Sequence, residues 1–170
     1  MRAKLVILLI AVAASGCGTH NAPAQSNEFT SEQQTVVTQN VQAFMDTVAK
    51  NITQNGPGDW RKHFVDDPAF FMAADGNLVY ANSDAATKGM QDLTNMFKAI
   101  ELHWGGTPRV DPLTPTLAMV ANPYSEVLTT SDGQQLKSDG YFTGLVQNQN
   151  GTWKFRNAHW SASGPPMKVQ

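Results

Sequence analysis

The chain has 170 residues, a formal net charge of -2 and 15% charged residues. With charge so nearly balanced and no basic cluster, it carries no electrostatic footprint for nucleic acid, and no nucleic-acid partner is expected. Its single cysteine, Cys17, rules out an internal disulfide. Stability must therefore come from a packed core, which a chain of this length can build.

Arg2 and Lys4 precede an apolar run from Leu5 to Ala13, and Ala-Ser-Gly-Cys follows at 14–17. The run is too short for a transmembrane helix, so residues 1–17 read as an export signal. The motif at 14–17 resembles the lipobox of bacterial lipoproteins, with Ala14 where Leu is usual. The resemblance implies lipidation of Cys17 and a membrane-anchored protein of the cell envelope, facing the periplasm or the exterior. Ordinary signal cleavage nearby is the alternative, leaving Cys17 a free thiol or removing it. Residues 18–30 are polar and contain Pro and Ser, and read as a flexible tether.

From Ser31 to about Ile52, Val37, Val41, Phe44 and Val48 recur at helical spacing. Asn-Gly-Pro-Gly-Asp ends that helix, and Asp59 is placed to cap a short second one carrying Trp60 and Phe64. A pair of short strands around Asp75-Gly76 comes next. Ser83 then caps a third helix with Met90, Leu93, Phe97 and Ile100 as its buried stripe. Residues 100–110 alternate as a strand. Longer strands are expected over 116–130, 134–149 and 152–163, joined at Asp132-Gly133 and Asn150-Gly151, both strong hairpin signals. Helices first and an antiparallel meander last give an α+β fold, with helices on one face of a bent sheet.

This order, ending in Trp153-Lys-Phe-Arg-Asn-Ala-His-Trp-Ser161, resembles the nuclear-transport-factor-2-like superfamily. That group includes SnoaL-like cyclases, ketosteroid isomerase and the association domain of calcium/calmodulin-dependent kinase. The last strand and Gly89-Met90 are nearest to the association domain. The resemblance spans residues 31–166, leaving 167–170 as a tail. It implies a cone-shaped fold with three N-terminal helices on a strongly bent, mostly antiparallel sheet. Function does not follow, because this frame hosts isomerases, hydrolases, cyclases, scaffolds and binding proteins. Counting from Asp66-Asp67 to the position of the isomerase base gives Met72, which takes no proton. Tyr124 and Gly144 stand where the association domain has its carboxylate-binding arginines.

Two-residue turns at both long hairpins would place Leu117, Met119, Ala121, Pro123, Phe142, Gly144, Val146, Trp153, Phe155, Asn157 and His159 on one face. That face is the more apolar and is expected to pack on the helices. Small residues beside polar ones at Ala121, Gly144, Asn157 and His159, near Phe142, suggest a pocket, with Trp60, Phe64 and Met96 as walls. A buried histidine near an asparagine also commonly just satisfies its neighbours. On the other face, Tyr124, Tyr141 and Trp160 would form an aromatic row suited to a homodimer interface; the alternative is that the C-terminal tail covers them. There is no metal-ligand spacing and no phosphate loop, so no metal or cofactor is expected.

Three functions follow. The first is an envelope lipoprotein binding a small apolar ligand in the cone, without catalysis. The second is a SnoaL-like or isomerase-like enzyme with His159 as its candidate catalytic residue for proton transfer. The third is a dimeric scaffold or association domain.

Overall fold

The computed structural model describes residues 29–169. The export signal, Cys17 and tether residues 18–28 lie outside the described residues. The last two tether positions belong to the domain. Phe29 packs against the core, and the Thr30 hydroxyl accepts the Gln33 N–H at 3.2 Å while Gln33 accepts the Thr30 N–H at 2.9 Å. This reciprocal capping box starts helix α1, Ser31–Asn55. Its buried stripe is Val37, Val41, Phe44, Met45, Val48 and Ile52, the expected face with Met45 and Ile52 added.

The expected second helix is a 3-10 helix, Pro57–His63. It begins three residues earlier than an Asp59 cap would place it, because Gly56 takes a left-handed φ of 85° and Pro57 has its φ preset for a first turn. Asp59 is buried inside it, accepting from the Asn55 amide at 3.0 Å and paired with Lys62. Strands β1 (Phe71–Ala74) and β2 (Asn77–Tyr80) follow as a hairpin. Helix α2 (Ser83–Met96) is capped by Asn82, which accepts from the Ala85 N–H at 2.8 Å, rather than by Ser83.

The chain leaves α2 sooner than its apolar spacing suggests. Phe97 is already extended, and Phe97–Trp104 forms β3. In this segment Ile100 and Leu102 are buried while Lys98, Glu101 and His103 are exposed, so the alternation prevails over the helical stripe. Gly105 and Gly106 then break the expected 100–110 strand, where Gly106 takes a left-handed φ of 103° and Gly105 packs so close to Pro123 that an added Cβ would come within 2.8 Å of it. Strand β4 (Arg109–Thr114) resumes beyond them.

Three long strands, β5 (Leu117–Thr130), β6 (Gln135–Gln149) and β7 (Thr152–Ala162), carry the sheet. Its order is β2-β1-β7-β6-β5-β3, with β4 also on β5, and β8 (Met167–Lys168) on β6. All pairs are antiparallel except β1 with β7. The expected tail at 167–170 thus begins with a strand paired to Leu136 and Lys137. The architecture is α+β, with the helices on one face of a large curved sheet.

Two details set which side chains face the helices. Asn150 and Gly151 both have positive φ, 54° and 87°, the expected two-residue turn. Asp132-Gly133 does not make such a turn. Only Gly133 is left-handed, at 91°, and Thr130 N–H donates to the Gln134 carbonyl across a loop of Ser131, Asp132 and Gly133. That extra residue shifts β5 by one, pairing Asn122 with Phe142 and Glu126 with Ser138. All of β5 is therefore turned over from the expected face.

In β7 the first half keeps its expected parity, with Val146 opposite Phe155. A bulge at Arg156 then puts Asn157 opposite Leu145. The Asn157 side chain accepts the Leu145 N–H at 3.0 Å, filling a place in the ladder where the bulge disrupts it. Beyond it, Ala158 and Trp160 face inward and His159 faces out.

Candidate ligand cavity

At the narrow end the inner face is solid. Phe44, Phe142, Phe155 and Val146 are buried there, and Phe155 meets Phe44 and Phe142 at ring-centroid separations of 5.0 and 5.3 Å. Toward the other end of β5 the walls diverge around a cavity of about 660 Å³. This lies within the ~300–1,000 Å³ range of small-molecule sites. The sheet supplies Tyr124, Glu126, Leu128, Ser138 and Trp160; α2 supplies Met90, Leu93 and Met96. Tyr80 and Val79 from β2, Trp60 and Phe64 from the 3-10 segment, and Gly164–Pro166 complete it.

Trp160 organises the closed side. It stands edge-on to Trp60 at 5.5 Å and to Tyr124 at 4.7 Å, and stacks on Trp104 at 6.0 Å. Trp104 is itself fixed by donating its indole N–H to the Met45 carbonyl at 2.8 Å. Tyr80 is held differently. Its ring lies where a side chain at Gly89 would be, with an added Cβ only 2.0 Å from a ring carbon. Only glycine on α2 leaves Tyr80 its place in the wall.

The polar groups in this apolar chamber are few. Glu126 lies between Leu102 on β3 and Ser138 on β6. Burial pushes its carboxyl from 4.5 up to about 7, because removal from water penalises the charged form. Tyr124 is likewise pushed up by burial, and its hydroxyl meets Ser138. Burial, with Asp92 nearby, raises Tyr80. Asp75, in the β1–β2 turn, accepts the Ala162 N–H at 2.8 Å. A carboxyl that changes charge near neutrality, beside a phenol and in an apolar space, can accept or donate a proton, or pair with a cation.

No protein-family model and no curated protein matches the chain. Solved structures do. A nuclear-transport-factor-2-like superfamily protein from Salmonella enterica superposes with a TM-score of 0.65 at 15% identity, covering 77% of this chain and 92% of its own. The fold is nuclear-transport-factor-2-like. A hexachlorocyclohexane dehydrochlorinase from Novosphingobium barchaimii shares it with a TM-score of 0.64 at 10% identity, over 82% of this chain and 94% of its own. A calcium/calmodulin-dependent protein kinase II association-domain-like protein from Xanthomonas campestris gives 0.58 at 20% identity, over 72% and 84%.

Within this nuclear-transport-factor-2-like frame, Trp60, Phe64 and Met96 line the cavity. The other expected pocket residues do not. His159 is exposed on the outer face opposite Thr143, and Asn157 serves the bulge. Ala121, turned by the shifted β5 register, lies opposite Thr143 on the outer face. Gly144 borders no void, since an added Cβ would sit 3.0 Å from both the Asn157 carbonyl and the Phe142 ring. Phe142 is fully buried core.

The expected interface row is also divided. Tyr124 and Trp160 point into the cavity, and Tyr141 alone is outside, 45% exposed. Among the described residues, no group of three or more His, Cys, Asp or Glu side chains could hold a metal ion. His63 is buried against Phe44, and burial lowers its pKa.

Glu126 was missed because a two-residue turn at Asp132-Gly133 puts it, like Tyr124, on the face away from the helices, whereas the three-residue loop turns both inward. Glycine as the last of three loop residues is itself a signal, since a type I turn followed by a left-handed glycine makes such a loop.

Proposed function

We propose that this protein binds a small, largely apolar molecule in the cone cavity, and does so as a lipid-anchored protein of the cell envelope. One observation carries the binding reading: a chamber of about 660 Å³ walled by Trp60, Trp160, Leu93, Met90 and Leu128, with few polar groups. Saturable Nile red binding to the purified protein is the test. Ala162, on the cavity wall, is the blocking position. Ala162→Trp should abolish the fluorescence gain while leaving the melting temperature close to that of the parent. Undiminished dye binding in a folded Ala162→Trp protein would refute the reading.

The anchoring half rests on the Ala-Ser-Gly-Cys motif at 14–17. Metabolic labelling with an alkyne fatty acid should mark the wild-type chain and not Cys17→Ser; an unlabelled wild type would remove the anchor.

A second reading is acid–base catalysis, and it now centres on Glu126 rather than His159. Its support is the carboxyl at about 7 with the Tyr124 hydroxyl on the same face. The hexachlorocyclohexane dehydrochlorinase that shares the fold is an enzyme, and an elimination or isomerisation would need one group able to take a proton from carbon. Under this reading Glu126→Gln abolishes turnover of any substrate found, and His159→Ala leaves it intact.

A further inference from the structure

We propose that the molecule the cavity takes is a hydrophobic amine, whose ammonium head meets the Glu126 carboxylate and whose apolar body lies between the tryptophans and helix α2. This rests on the cavity being a ligand site at all, and sharpens that reading to a chemical class.

The sign of the walls is the first argument. Among the described residues that line the cavity, Asp75 and Glu126 carry carboxyls, and no Lys, Arg or His is present. Asp75 is already engaged by the Ala162 N–H. Glu126 faces Leu102 from β3 and Ser138 from β6, and the other titratable groups in the chamber are the phenols Tyr80 and Tyr124. Among the described residues, no cation opposes the effect of burial on Glu126. A half-buried carboxylate with no cationic partner among the described residues is costly, and a ligand that brings the missing positive charge offsets that cost on binding.

The second argument is the aromatic wall. Tyr124, Trp160 and Trp60 stand together, each edge-on to the next, beside the strand position that carries Glu126. Aromatic faces attract alkylammonium groups, and more strongly out of water. The remaining walls, Met90, Leu93, Ile100 and Leu128, suit a hydrocarbon or aryl body. A fatty acid or other apolar anion is disfavoured, because its charge would be buried beside like charges without a cation.

The test compares phenylbutylamine with its neutral counterpart phenylbutanol and the anion phenylbutyrate, by calorimetric titration of the purified full chain. About pH 8.5 is suitable, with Glu126 mostly ionised and an alkylammonium, at ~10, still protonated. The amine should bind about tenfold tighter than the alcohol, the size of a charge-assisted hydrogen bond, and the anion weakest. Glu126→Gln should reduce amine affinity to that of the alcohol and leave the alcohol unchanged. Alcohol binding equal to or tighter than amine binding in the wild type overturns the amine class while leaving the cavity reading intact. Binding of none of the three defeats both.

Discussion

The two ends of the sheet's inner face are built from the same three strands and do opposite things. At one end Phe155, Phe142, Val146 and Phe44 interlock. At the other, the same strands carry Tyr124, Glu126, Ser138 and Trp160 around open space. The difference arises at the Arg156 bulge and in the lining residues. The bulge leaves Phe155 at the packed end and turns Trp160 into the wall. The 3-10 helix and the Phe64 that follows it fill the closed side, with Phe64 stacked on Phe70 at 4.7 Å. Past it, the cover is only α2, the β1–β2 hairpin and Gly164–Pro166. The packed end should therefore govern stability, and the open end should be free to hold a group that stability would reject.

The largest effect expected is at the packed end. Phe155 is fully buried with aromatic contacts on three sides, and Phe155→Ala should cost about 3–5 kcal/mol. Urea unfolding measures this; a loss below about 1 kcal/mol would mean that this end is not the packed core described.

At the open end the cost is electrostatic and depends on pH. The Glu126 carboxyl, raised from 4.5 to about 7, is more readily protonated in the folded chain than in the unfolded one. Its contribution to stability is thus full below about pH 4.5 and is lost as pH rises through about 7. A displacement of that size corresponds to up to about 3 kcal/mol. Glu126→Gln should flatten that part of the stability–pH curve and make the variant more stable than the parent at alkaline pH. Parallel curves for the two proteins would show that Glu126 is solvated rather than buried.

The same contrast explains what the sequence alone could reveal. Helix α1, the β1–β2 hairpin and the three long strands are legible, because apolar spacing and Asp-Gly or Asn-Gly turns are local signals. Faces are not local. One extra loop residue at Ser131–Gly133 and one bulge at Arg156 each reverse every side chain beyond them. Between them they exchanged Glu126, Tyr124 and Trp160 for Ala121, Asn157 and His159. The fold survived because strand existence does not depend on parity. Trp60, Phe64 and Met96 lie outside the affected strands, so their place on the cavity wall does not depend on that parity.

Asn157 and His159 sharpen the comparison at its fine end, being two residues apart with different duties. Removing the Asn157 side chain leaves the Leu145 N–H without its acceptor. Asn157→Ala should therefore cost about 1–3 kcal/mol, by relaxing the bulge that sets the direction of Trp160. His159 is exposed on the outer face, where substitutions away from special features stay within about 0.5 kcal/mol. His159→Ala should leave urea unfolding and Nile red binding unchanged. If it instead weakened dye binding as much as Ala162→Trp does, β7 would have to run past Arg156 without its bulge. His159 would then point inward and Trp160 outward, and the cavity described would have a different wall.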